Sequence, residues 1–221
     1  MKKSGFVLMI LLATATGATA QEGETILDEQ TVDLYNEAMA CSDNGDYKGA
    51  VEKLLKALER TPDSRDIYAS LVQACFNSNQ TGLLKGHLTR AKAIFPGDDE
   101  MCYYLGTVHQ KENHPALAIR EFSLAIEFGK RKEAAGDVAP LLSAYYMYRG
   151  NCYLKLDQFE EAIADYTDYI ALDDRSGAVY ANRGIAYFKT GKPMPACADW
   201  RKARGLGITS VNQYLAKYCK R

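Results

Sequence analysis

The sequence predicts an all-α protein, a solenoid of stacked helical hairpins, and two observations carry this prediction. First, residues of similar size recur at a spacing of 34: Ala57, Ala91 and Ala125 form one series, and Gly150 and Gly184 belong to another. Second, apolar residues within each period follow the i, i+3, i+4, i+7 spacing of an amphipathic helix. An internal period of roughly 20–50 residues is typical of repeat proteins, whose units bury their apolar faces against their neighbours.

Each period contains two helices joined by a short polar turn. A small residue midway along the first helix allows the second helix to approach closely, and a large residue on the second helix fills the remaining space. The small positions are Ala38, Val72, Gly106, Gly150 and Gly184, and the large positions are Leu54, Leu88, Phe122, Tyr166 and Trp200.

These units resemble the tetratricopeptide repeat, a helix-turn-helix module of 34 residues. The resemblance is carried by residues 146–166 (YMYRGNCYLKLDQFEEAIADY), 180–191 (YANRGIAYFKTG) and 45–57 (GDYKGAVEKLLKA). It implies a right-handed α-α superhelix of five repeats and a C-terminal capping helix. The repeats are placed at 31–64, 65–98, 99–132, 143–176 and 177–210, and the cap at 211–221.

Residues 133–142 are an insertion between the third and fourth repeats. Gly136 indicates the end of a helix, and Pro140 is expected in the first turn of a lengthened next helix. The basic run 130–132 is interpreted as solvated surface. At the other end, Ser210 is expected to cap the last helix, which would cover the apolar face that the final repeat leaves open.

The first 20 residues predict export. Met1 and two lysines precede an apolar run that ends near Ala13, and an A-x-A cleavage pattern ends at Ala20, as in a secretory signal peptide. The apolar run is too short to span a bilayer, so no integral membrane segment is expected after cleavage. Residues 21–30 are expected to form a flexible lead-in, and the mature chain to be located in the bacterial periplasm or outside the cell.

The charge balance and the cysteines narrow the chemistry further. With 27 Lys+Arg against 28 Asp+Glu, the net charge of -1 provides no broad positive field for nucleic acid. Six cysteines in an exported chain permit disulfides. Cys197 and Cys219 are the candidate pair, because antiparallel packing of the last long helix and the cap would bring them to similar heights. Two reduced thiols in a helix interface are the alternative.

Nothing in the sequence predicts catalysis. The chain contains no nucleophile elbow, zinc-protease motif, phosphate loop or dinucleotide fingerprint. His109 falls in a packing column, His114 in a turn and His87 in a divergent helix, so neither a metal site nor a cofactor is expected.

The resemblance implies a scaffold or adaptor whose first helices line a concave groove for a protein or an extended peptide. The Lys, Arg and Asn set with which one family subgroup grips a terminal carboxylate is missing, so that activity is not carried over. Two alternatives remain: an accessory subunit of a secreted or envelope enzyme complex, and a self-associating structural protein. The candidate peptide-binding residues are the first-helix positions of repeats three to five that face away from the partner helix: Tyr103, Tyr104, Thr107, Tyr148, Asn151, Leu154, Asn182, Ile185 and Phe188.

Overall fold

The computed structural model describes residues 27–219, and this part of the chain is helical with no strand. The predicted signal peptide 1–20, most of the predicted lead-in and the last two residues lie outside the described range. Each helix packs against the next along the chain, and alternate helices also touch in the C-terminal half, so the hairpins stack into the predicted all-α superhelix. The hairpins are α1 (Glu29–Asp43) with α2 (Tyr47–Arg60), α3 (Arg65–Asn77) with α4 (Leu84–Ile94), α5 (Asp99–Lys111) with α6 (Pro115–Ala134), α7 (Leu142–Lys155) with α8 (Phe159–Leu172), and α9 (Gly177–Lys189) with α10 (Pro193–Gly205), followed by α11 (Asn212–Tyr218).

The small and large positions of the repeat lie where the two helices of a hairpin cross. A Cβ added at Gly106 would lie 2.7 Å from the ring of Phe122, and one added at Gly184 would lie 2.5 Å from Nε1 of Trp200. Both aromatic side chains are completely buried. The close approach that the sequence predicts therefore depends on the missing Cβ at these two positions.

Every hairpin turn contains one residue in the left-handed backbone region. These residues recur at the repeat spacing, with the longer step across the insertion, and are all glycine, asparagine or aspartate, the types that adopt this region most easily. The turn between the paired helices is thus set by local backbone chemistry. They are Gly45, Asn79, Asn113, Asp157 and Gly191, with φ of 79°, 59°, 63°, 57° and 72°.

The insertion lengthens the helix before it, not the helix after it as the sequence analysis expected. α6 has 20 residues and α7 has 14. Gly136, with φ of 89°, follows the end of α6, and Pro140 lies in the turn before α7. The added turns of α6 are held by a contact that joins distant parts of the sequence.

That contact neutralises a buried carboxylate. Asp99 at the start of α5 is 1% exposed, pairs with the Lys132 ammonium of α6, and accepts a hydrogen bond from the Tyr145 hydroxyl at 2.9 Å. Burying a carboxylate is costly unless it is paired and hydrogen-bonded. The sequence analysis interpreted the basic run 130–132 as solvated surface. This interpretation is wrong for Lys132, which pairs with Asp99.

Ser210 does not cap the last helix, although the sequence had predicted this. Ser210 lies inside a 3-10 turn, Thr209–Val211, and makes no capping hydrogen bond to α11. Tyr214 of α11 stacks on Trp200 with 5.0 Å between ring centroids. The structure joins Cys197 of α10 to Cys219 by a disulfide, with 5.6 Å between their Cα atoms. No helix within residues 27–219 is both long and apolar enough to cross a membrane.

Candidate peptide-binding groove

The nine candidate residues lie on three adjoining first helices, and all nine are half-buried. α5 touches α7 and α7 touches α9, so these side chains belong to neighbouring parts of one surface. Partial burial is typical of residues that line a groove, but also of residues that fill space between repeats. The contacts of each group distinguish the two roles.

Tyrosine rings cluster where α5 meets α7. The ring of Tyr103 lies 5.4 Å from that of Tyr104 and 5.5 Å from that of Tyr148, and the Tyr148 ring lies 5.8 Å from Phe122 beneath it. Burial is the main reason that the pKa of Tyr103 is raised well above its usual value, which keeps its hydroxyl neutral. This end of the surface offers aromatic contact area with polar tips.

The amide part of the surface is tied into the fold. Oδ1 of Asn151 accepts a hydrogen bond from the Tyr166 hydroxyl at 2.8 Å and another from Nδ2 of Asn182 at 3.1 Å. Asn151 therefore links its own hairpin to the next one. An extended peptide would meet amide groups that are already held in place.

Phe188 belongs to the interface with the cap. Its ring lies 4.3 Å from that of Tyr218 and 5.7 Å from that of Trp200. Ile185 packs against the same C-terminal apolar cluster. Phe188 and Ile185 therefore lie beside α11 at the C-terminal end of the candidate surface.

Two buried ion pairs fix the first helices against the second helices. Nε and Nη2 of Arg149 donate to the two oxygens of Asp165 at 2.8 and 2.6 Å. Nε and Nη2 of Arg183 contact Asp199 in the same way at 2.8 and 2.9 Å. Burial acts to lower the pKa of Arg149, but the Asp165 carboxylate outweighs it and raises that pKa. The sequence analysis did not predict these pairs; the separation of 16 residues between each arginine and its aspartate is the signal that indicates them.

Comparison with known proteins supports the fold. Two segments, 34–64 and 143–176, match models of the tetratricopeptide repeat. The crystal structure of MamA superposes with a TM-score of 0.71 at 19% identity, covering 87% of this chain and 97% of that one. The structure of YrrB, described as a TPR protein with an unusual peptide-binding site, gives a TM-score of 0.67 at 19% identity, covering 85% and 91%.

One curated relative is much longer than this chain. The mouse BBSome complex member BBS4 is 23% identical over 159 residues, which are 72% of this chain and 29% of the relative. This chain thus matches less than a third of that protein.

Helical hairpins stacked at a constant spacing define the class, an all-α superhelical repeat protein. The matched segments specify the kind of repeat. This chain contains tetratricopeptide repeats.

Proposed function

We propose that this chain is a non-catalytic scaffold or adaptor that binds another protein, or an extended peptide segment of it, through the concave surface of α5, α7 and α9. Tetratricopeptide repeats generally serve protein interaction, and folds of this kind are generally scaffolds. The observation that carries the proposal is the half-buried band of tyrosine and asparagine side chains on these three helices.

The chemistry of the band suits a peptide main chain. Tyrosine rings provide stacking area at low entropic cost, and asparagine amides can both donate and accept hydrogen bonds. Pre-positioned groups bind with a smaller ordering cost than mobile ones. The peptide-binding site named for the similar structure of YrrB is in keeping with this proposal.

We place this activity in the bacterial periplasm or outside the cell, after cleavage following Ala20. The signal pattern in residues 1–20 supports this location. The Cys197–Cys219 disulfide also supports it, because structural disulfides persist mainly in oxidising compartments.

Site-specific photo-crosslinking tests the binding surface. A benzophenone amino acid is placed at Tyr104 or Leu154 on the first helices and, as matched controls, at the exposed positions Arg120 and Ala164 on the second helices. We expect adducts with a partner from the first pair and none from the second pair, with the attached protein identified by mass spectrometry. Adducts from only the control positions, or equal adducts from all four, would contradict the proposal.

A further inference from the structure

The turn between α5 and α6 brings together two histidines and a glutamate. Nδ1 of His114 lies 3.5 Å from Oε2 of Glu112, and Nδ1 of His109 lies 4.0 Å from the same oxygen. One ligand atom from each of the three side chains lies within 4.8 Å of the others. The sequence analysis expected no metal site here because it assigned His109 to packing and His114 to a turn.

The left-handed backbone conformation of one turn residue explains why these three side chains lie close together. Asn113, with φ of 63°, reverses the chain so that the His114 N–H donates to the carbonyl of His109 at 2.8 Å. His114 is thereby folded back over the last turn of α5. The backbone of all three residues is held by hydrogen bonds, so the turn fixes the positions from which the three side chains extend.

A buried ring nitrogen in this cluster has no hydrogen-bond partner among the described residues. The His109 side chain is nine-tenths buried, with 10% exposure, and its Nδ1 has no hydrogen-bond partner among residues 27–219. A buried polar atom without a partner costs free energy and calls for an explanation, of which a bound ion is one.

We propose that His109, Glu112 and His114 form a binding site for a divalent transition-metal cation of the Zn²⁺ type. Two imidazole nitrogens and a carboxylate oxygen are a donor set that zinc accepts, with a fourth position left for water. Tetrahedral bonds of about 2.0–2.1 Å place ligand atoms about 3.4 Å apart. The Glu112–His114 separation already has this value, and the half-exposed His114 side chain is free to adjust to His109.

A lysine side chain contacts the same glutamate oxygen and provides a further test of the site. Nζ of Lys85 in α4 lies 3.2 Å from Oε2 of Glu112. Lys85 therefore competes with a metal for the same oxygen. Its side chain is 51% exposed, so it can move into solvent when a metal binds.

Zinc titration of the full chain tests the site. The affinity tag is removed, and ZnCl₂ is titrated calorimetrically into the wild type and three variants. We expect one Zn²⁺ per chain, at least about tenfold weaker binding for His114→Gln, and tighter binding for Lys85→Met because the competing charge is gone. His87→Gln, which changes the half-buried histidine of α4 outside the cluster, is the matched control and should bind like the wild type.

A second measurement separates ligand loss from unfolding. Far-ultraviolet circular dichroism shows whether each variant keeps its helices, and Co²⁺ substitution reports tetrahedral nitrogen and oxygen ligation by its visible absorption. The site is overturned if His114→Gln keeps the wild-type affinity, or if no stoichiometric Zn²⁺ binding occurs.

Discussion

The substitution Gly184→Ala tests the packing rule of the hairpins most directly. The new Cβ would lie 2.5 Å from Nε1 of Trp200 and 3.2 Å from the carbonyl oxygen of Ala196. Trp200 is fully buried and its Nε1 donates to the carbonyl of Ala181 at 3.3 Å, so the ring has little room to withdraw. The carbonyl of Ala196 is part of the α10 backbone and can yield only if the helix moves.

The magnitude follows from two opposing contributions. Overpacking a buried position costs about 1–3 kcal/mol, and we expect the upper part of this range because backbone as well as side chain is in the way. Alanine in place of glycine returns about 1 kcal/mol of helix propensity. The free energy of unfolding should therefore fall by about 1–2 kcal/mol.

A matched control gives the opposite sign. Gly86 lies in α4, where an added Cβ would meet no atom within 4 Å, so Gly86→Ala should raise the free energy of unfolding by about 0.5–1 kcal/mol. Urea denaturation followed by circular dichroism, with the disulfide intact, measures both changes. The reasoning is refuted if Gly184→Ala leaves the midpoint unchanged or raises it, or if the two variants shift it in the same direction.

Two further changes have measurable consequences for stability. Replacing Cys197 and Cys219 together by serine opens a loop of 22 residues and should lower the free energy of unfolding by about 3 kcal/mol in the chain-entropy model; denaturation of the wild type with and without reductant checks the same quantity. Asp165→Asn leaves the mostly buried Arg149 without its counter-charge and should cost about 2–3 kcal/mol, whereas Asp173→Asn removes an exposed ion pair and should cost less than about 1 kcal/mol. Equal midpoints for the two aspartate variants would show that burial does not govern these pairs.

The repeat spacing predicts contacts within a hairpin. It does not predict contacts between residues that lie far apart in the sequence. Residue size explains the close crossing of Gly184 and Trp200. The backbone preference of glycine, asparagine and aspartate explains the turns after the first helices. Both properties can be read from the sequence. The longer α6 depends on Lys132 and Tyr145 reaching Asp99, which lies 33 and 46 residues before them, and no periodic pattern marks such contacts.

The peptide-binding groove stays a prediction from helical spacing, and the contacts of its side chains required the structure. Helical spacing places Tyr148 and Asn151 on one face of α7, which remains the proposed binding face. Their partners depend on how far one hairpin rotates against the next, and this rotation decides that Asn182 meets Asn151. Phe188 contacts Tyr218 of α11, and helical spacing alone does not predict this contact.

The packing of α11 on α10 makes the two ends of the repeat array unequal in stability. In a linear array the terminal unit lacks a neighbour on one side and normally opens first. Here stacked rings and a covalent link hold the last unit, so among residues 27–219 spontaneous opening should begin at α1 and progress toward the C-terminus. The surface of α7 and α9 is therefore carried by the stiffer half of the array. A peptide bound there would lose little free energy to ordering its receptor, and stretching the chain from both ends would release α1 long before it disturbed that surface.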